Sequence, residues 1–423
     1  MNTISIDEIK PGMILATDLR TRHGRLLLPS GSEITEEHLK IARIWGITEA
    51  KITDDQFHEK DSSTEFDPEI QRVLDALASW RFACCDHEQA VVRQLVRLFR
   101  KRVARGLTRN KVRELVGKYR GPGNLQERIK LFDQETEKPR CEDIVQKEVG
   151  LVSLPEVFHE IVEVVRSPTS SAGHIAEVIS RDPSLSSRIL RLVNSSFYGF
   201  MARVDTLTRA VAIVGTVEIT NLAMGIAVTS TFTDIPPEIV DMPDFWEHSL
   251  AVGVLARIMA AQTKCPGLER LFVGGLLHDI GRLVLLKNYP RLSGRMILAT
   301  SVRPATLYQL EKKSMGFSHA GLGGRLLKEW EIPESLADMV GFHHCPEKAL
   351  DSQEACLIHI ADIISHALGL GHSGARRVPP ITDKTWKRTG LPVTVLPAVA
   401  AQAENQLRDL MRIIVQDQSN AAP

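Results

Sequence analysis

"GGLLHDIGRL", residues 274–283, decides how this chain is read. His278 and Asp279 stand side by side, with Leu276, Leu277, Ile280, Val284, Leu285 and Leu286 around them. A segment that is apolar on all sides reads as a buried helix. The whole stretch "ERLFVGGLLHDIGRLVLLKN" is therefore expected to be one helix with the pair in its middle. A carboxylate in that setting is costly unless it is paired, hydrogen-bonded or bound to a metal. The pair needs a partner from elsewhere in the chain.

The other histidines supply candidates. His248 lies in "FWEHSLAV", His319 opens "HAGLGG", His343 and His344 close a helix in "GFHHCPE", and Asp362 lies in "IHIADII". Each falls on a different predicted helix, and helical bundles build metal sites from side chains on facing helices. Imidazole and carboxylate suit divalent zinc, iron, manganese or nickel. The expected grouping places His248, His278, Asp279 and Asp362 around one ion. Asp279, His319 and His343 or His344 would hold a second. Two ions ~3.5–4 Å apart can activate water and clamp a phosphate oxygen. Asp279 and Arg282 are the candidate catalytic residues, because an arginine one turn after His278 can meet a phosphate in a forked contact. Any one histidine read alone is a packing or surface residue, and His359 is such a case. Asp244 is an alternative ligand that competes with an N-cap role. Cys345 and Cys356 read as core or loop.

Composition bounds the rest. The 423 residues are 43% hydrophobic and 25% charged, with zero formal net charge. That is a globular composition with no overall electrostatic case for nucleic acid. Cys84, Cys85, Cys141, Cys265, Cys345 and Cys356 show no repeated spacing, which argues against a disulfide scaffold and for a reducing compartment. "MNTISIDEIK" lacks the apolar core of a signal peptide, and no apolar run reaches the ~18 residues of a membrane span. A cytoplasmic protein with no membrane attachment is expected.

Four regions follow. Residues 1–55 read as a small α+β module: "GMILATDL", "GRLLLPSG" and "EAKI" as strands, and "TEEHLKIARIWG" as a helix capped by Thr35 and ended by Gly46. Residues 68–145 read as a basic helical region, with 15 Lys/Arg against 5 Asp/Glu over 72–130. "GPGN" at 121–124 breaks it, and 133–143 reads as a polar connector. With few aromatics and no recognition motif, its charge reads as a solvated face rather than a nucleic-acid surface. Residues 150–370 form an all-helical domain of short packed helices, in which Asp182 caps and Pro183 opens "PSLSSRILRLV". Residues 371–423 give a loop, to about 395, and a final amphipathic helix. The fold class is mainly α: a helical bundle preceded by a small α+β module and a helical linker region.

The run "LPEVFHEIVEVV", "DPSLSSRILRLVNSSFYG", "TLTRAVAIVG", "FWEHS", "GGLLHDIG" and "FSHAGLGGRLLKEWEIPESLADMVGFHHCPE" resembles the HDOD domain, the HD-related output domain of bacterial signalling proteins. "IKPGMILATDL…GRLLLPSG" resembles the module that precedes HD-GYP and similar domains. The resemblance implies the HD-superfamily fold, in which His248, His278, Asp279 and Asp362 match the metal-binding set. His319, His343 and His344 match the additional histidines of the HD-GYP branch, which hydrolyses cyclic di-GMP. Two departures stand out. Arg282 replaces a lysine, and "HHCPEKALDSQEACL" lacks the Gly-Tyr-Pro loop. The resemblance therefore implies a regulatory module acting through protein partners or a nucleotide or cyclic dinucleotide ligand, with a retained divalent metal site of one or two ions. The alternative is a metal-dependent phosphohydrolase acting on a nucleotide or cyclic dinucleotide.

Overall fold

The computed structural model describes residues 2–52 apart from 7, 21–25, 33 and 45; residues 68–106; and residues 139–415 apart from 152–155, 167–170, 201, 230–231, 233–234 and 264. In the N-terminal module, β1 (Asn2–Ser5) pairs antiparallel with β4 (Glu49–Ile52), and β2 (Leu19–Arg20) with β3 (Leu26–Leu28). The "EAKI" strand is present as expected. The other two predicted strands shorten to these pieces, while Leu15 makes a single bridge to Ile52. Between them, α1 (Glu36–Ile44) starts where Thr35 Oγ1 accepts from His38 N at 3.2 Å. Ile6, Leu15, Ile34, Leu39 and Ile52 form a core of their own. The module meets the helical body where Gln262 Nε2 donates to Thr48 Oγ1 at 3.2 Å.

In the basic region α2 (Pro68–Arg81) and α3 (Ala90–Gly106) are helical. Val91, Leu95 and Phe99 of α3 are buried at helical spacing, which is the apolar stripe the sequence carries. Residues 107–138, including "GPGN", lie outside the described residues. The next helix, α4 (Cys141–Leu151), begins inside the stretch expected to be a polar connector.

Short helices follow: α5 (Glu156–Arg166), α6 (Ala172–Ser180), α7 (Pro183–Val193), α8 (Leu207–Val214) and α9 (Thr216–Thr229). The cap of α7 is as read, with Asp182 Oδ1 accepting from Leu185 N at 3.0 Å. Asn194 then brackets the "SSFYG" loop. Its Nδ2 donates to Leu190 O and Val204 O, and its Oδ1 accepts from Val204 N, each at 2.7 Å.

The long α10 (Met242–Thr263) runs through the middle of the bundle, crossed by α11 (Leu268–Leu277). The crossing depends on Gly275. A Cβ there would stand 2.4 Å from Gly253 N and 2.5 Å from Gly253 Cα, closer than packed atoms approach. Backbone contact of this kind lets His248, on α10, and His278, just past α11, face one interior point.

The expected continuous helix is in fact two. α11 ends at Leu277 and α12 (Ile280–Asn288) begins at Ile280, with Asp279 leaving helical geometry at φ −98°, ψ 13°. The apolar pattern continues on both sides of the break, so periodicity alone does not show it. The break swings Asp279 inward beside His278. Around this junction pack α13 (Pro290–Val302), α14 (Leu307–Met315), α15 (His319–Glu329), α16 (Glu334–Phe342) and α17 (Ser352–Leu368). The stretch read as a loop from 371 contains a short helix, α18 (Asp383–Arg388), before the final α19 (Leu396–Ile414). Among the described residues no single helix is long and apolar enough to cross a membrane.

Candidate metal centre

Four histidines are fixed by what their Nδ1 atoms touch. His278 Nδ1 lies 2.7 Å from Gly275 O, and His343 Nδ1 lies 2.7 Å from Val340 O. A carbonyl only accepts, so each Nδ1 carries hydrogen. His248 Nδ1 lies 3.0 Å from Ser365 Oγ, whose own hydroxyl donates to Leu370 O at 3.1 Å. Ser365 therefore accepts from His248. His319 Nδ1 lies 2.5 Å from Glu311 Oε2, which also accepts from His319 N at 2.9 Å. In the rings of His248, His278 and His343 Nε2 is left for a proton or a metal, the arrangement that outer hydrogen bonds create around metal-binding imidazoles, whereas His319 Nε2 already lies 3.2 Å from His344 Nε2.

Three of these nitrogens, on His248, His278 and His319, converge on two carboxylates. His248 Nε2 stands 3.2 Å from Asp362 Oδ1 and 3.8 Å from Asp279 Oδ2. His278 Nε2 stands 3.4 Å from Asp279 Oδ2 and 3.8 Å from Asp362 Oδ1. Ligands bound tetrahedrally at ~2.1 Å are separated by ~3.4 Å, so these spacings suit metal ligands; the ligand atoms of His248, His278 and Asp279 lie within 4.8 Å of one another, as do those of His248, Asp362 and His366. The other oxygen of Asp279, Oδ1, lies 3.1 Å from His319 Nε2. His319, His343 and His344 form a second group, whose ligand atoms lie within 4.8 Å of one another.

The decisive observation concerns hydrogen bonds that are not made. Nε2 of His248, His278 and His343, both oxygens of Asp279, and Asp362 Oδ1 are buried with no hydrogen-bond partner. The contacts above are close but lack hydrogen-bond alignment. The residues His248, His278, His319 and His343 are 0% exposed, and Asp279 and Asp362 are 1% exposed. Buried polar atoms without partners are rare because each forfeits its hydration. A cluster of them facing one point forms a ligand shell, and its donor set of imidazole and carboxylate fits a divalent transition metal.

The electrostatics agree. Burial alone would raise the carboxyl of Asp279, but Arg282, then His278 and His319, hold it well below the usual carboxylate range. Burial likewise opposes ionisation of Asp362, yet His366, His248 and His278 keep it well below that range. Burial pushes His248 down to about 4, against the pull of Asp362. Burial and neighbouring imidazoles push His343 and His344 well down. His278 goes the other way: burial opposes its charge, but Asp279 prevails and raises it. For His319, burial and Arg282 oppose the charge, while Glu311 and Asp279 outweigh them.

Three residues join the site that the sequence did not single out. His366 sits one turn after Asp362 on α17, 3.2 Å from its Oδ1, and forms a further group with His248 and Asp362. The i, i+4 spacing was legible. Glu311 of α14 is 1% exposed and orients His319. Ser373 is fully buried in the segment after α17, and accepts from Arg282 Nη1 through its carbonyl at 3.3 Å and through its hydroxyl. Arg282 is itself buried and spends its donors inward, with Nη1 2.9 Å from Asp279 Oδ2. Asp244 points away from the centre and pairs with His372 Nε2 at 3.2 Å. His359 donates from Nδ1 to His343 O at 2.8 Å, a structural role.

Comparison with known proteins places the fold. Residues 151–346 match the HDOD domain family. The fold is similar to that of a candidate phosphohydrolase from Shewanella amazonensis SB2B, with 24% identity, a TM-score of 0.51, and coverage of 64% of this chain and 98% of that one. It is also similar to an HDOD domain protein of unknown function from Geobacter sulfurreducens, with 20% identity, a TM-score of 0.51, and coverage of 65% and 97%. An uncharacterized protein of Treponema pallidum (strain Nichols) is 26% identical over 206 residues, 48% of this chain. The chain spans only 38% of that relative's length.

Proposed function

For a chain that carries an HDOD domain over residues 151–346, we propose a signalling module whose conformation depends on a buried divalent ion. The observation that carries this reading is the set of buried ligand atoms on His248, His278, Asp279 and Asp362 that make no hydrogen bond. When bound, the ion would neutralise the two carboxylates and tie α10, the α11–α12 junction and α17 to one point. Those residues would bind it; Ser365 and Gly275 hold the rings of His248 and His278 in the tautomer that binding needs. The centre is closed over, with no residue of this set more than 1% exposed. A phosphodiester has no evident approach to it, which favours regulation over turnover. The output would be read by protein partners or coupled to a nucleotide or cyclic dinucleotide ligand. The six cysteines are unpaired, in keeping with a reducing, cytoplasmic setting.

A second reading, metal-dependent hydrolysis of a phosphodiester, is favoured by one specific feature. Asp279 turns Oδ2 to His278 and Oδ1 to His319, as a carboxylate bridging two ions would. One experiment separates the two. The chelator-treated chain is reloaded with manganese, iron, nickel or zinc, and thermal unfolding is followed beside hydrolysis of cyclic and linear dinucleotides. The regulatory reading expects metal to raise the unfolding temperature with no turnover. Turnover that Asp279→Ala abolishes would establish the hydrolase instead.

A further inference from the structure

The two histidine groups are not equivalent, because Arg282 stands between them. Its Nη1 lies 2.9 Å from Asp279 Oδ2, and its Nη2 lies 3.0 Å from His319 Nε2 and 3.3 Å from His319 Nδ1. Near-equal distances to both ring nitrogens place the guanidinium over the imidazole face. An ion bonded at ~2.1 Å to His319 Nε2 could then lie no more than about 5 Å from that guanidinium nitrogen. In a buried site, two cations so close repel strongly.

Charge counting points the same way. Three carboxylates, Asp279, Asp362 and Glu311, are each 1% exposed in this cluster, and Arg282, 4% exposed, is its one permanent cation. With neutral imidazoles the cluster carries a net charge of −2. One divalent ion neutralises it, whereas a second leaves a buried excess of positive charge, which low-dielectric surroundings penalise.

Arg282 cannot step aside freely. Its Nη1 holds Ser373, and the segment carrying Ser373 is strapped across the start of α10. His372 N donates to Asp244 O at 3.0 Å. Gly371 lies at φ +60°, where a Cβ would stand 2.3 Å from Asp244 O and 2.4 Å from His248 N. Farther along, Arg377 Nε donates to Thr300 O at 3.0 Å, and its guanidinium lies 4.5 Å from the Trp80 ring centre.

Resting on the metal-centre reading above, we infer that the protein holds a single divalent ion at His248, His278, Asp279 and Asp362, with Arg282 serving as the second cation. A second ion enters at His319, His343 and His344 only when Arg282 withdraws and releases Ser373. Occupancy of the second position is thereby coupled to opening of the 371–377 strap, and high metal is converted into a change of surface beside α2.

The test is metal titration of the full chain with manganese, with bound metal counted by elemental mass spectrometry and strap opening followed by hydrogen exchange over 371–377. The wild type is expected to bind one ion, with a second about 100-fold weaker, the scale on which groups around a metal tune its affinity. Filling that second position should accelerate exchange in the strap. Arg282→Met keeps the bulk without the charge and should bring the second ion within about tenfold of the first. Ser373→Ala, which leaves Arg282 and every ligand in place, should also strengthen the second ion and speed exchange, and it carries the test where Arg282→Met disturbs folding. Two ions of equal affinity in the wild type, or no change in either variant, would overturn the inference while leaving the metal centre standing. No bound ion in any of the three proteins would overturn the centre itself.

Discussion

His248 Nε2 lies 3.2 Å from Asp362 Oδ1, and neither atom has a hydrogen-bond partner. The two residues come from α10 and α17, far apart in the chain and joined across the bundle interior. The imidazole is held from behind by Ser365, so its free nitrogen is aimed at the carboxylate without being engaged by it. A packed core would have replaced such a pair with apolar groups at little cost. Its presence makes sense when a third body completes it.

Without metal, this centre makes stability depend on pH in a defined direction. His248, His343 and His344 have folded values below the ordinary ~6.5 of an unfolded histidine. Between those limits the unfolded chain binds more protons, so stability falls as pH falls from about 6.5 toward about 4. Asp279 and Asp362, held low, withdraw their contribution only below the unfolded carboxylate range near ~4. His278 and His319 are raised, so their contribution is full below about 6.5 and is lost as pH rises. They give no offset in acid. Urea unfolding of the chelator-treated chain should show a falling midpoint from pH 6.5 to 4.5. A midpoint flat across that range would contradict the assignment.

Gly275→Ala tests the crossing that aligns the two halves of the site. The added methyl meets the backbone of Gly253, which has no rotamer to yield. The expected loss is about 1–3 kcal/mol in denaturant unfolding, the usual range for overpacking. A change within about 0.5 kcal/mol would mean that the helices can part without cost.

Glu311 carries a graded prediction. Its Oε2 accepts from both His319 N and His319 Nδ1 in a buried setting. Glu311→Gln keeps an acceptor and should cost about 1 kcal/mol, whereas Glu311→Ala strands both donors and should cost about 2–4 kcal/mol. Equal stability of the alanine variant and the wild type would show that the contact does not hold His319 in place.

The parts of this fold that were readable from sequence are those with local causes. Thr35 caps α1, and Asp182 with Pro183 opens α7, because a cap is decided by residues three positions apart. His248, His278, Asp279, His319, His343, His344 and Asp362 could be singled out because polar groups on apolar helices are expensive, and the structure brings them to one interior region. The break after Leu277 was not readable, since the apolar pattern runs unbroken through it. Glu311 sits in "YQLEKKSM" beside exposed Lys312 and Lys313, and nothing in that spacing marks the one charge that turns inward. Ser373 and the strap were hidden for a similar reason: a Gly-rich segment reads as surface, and only the tertiary contact with Arg282 makes it part of the centre.

The measurement that bears most directly on the account is the metal content of the purified chain beside Asp279→Ala, both confirmed as folded by circular dichroism and counted by elemental mass spectrometry after exposure to manganese, iron, nickel and zinc. The account predicts one divalent ion per wild-type chain, removed by chelator and absent from the variant. A folded wild-type chain that takes up none of these metals would contradict it, and would leave His278 and Asp279 as a charge pair closed within the helical core.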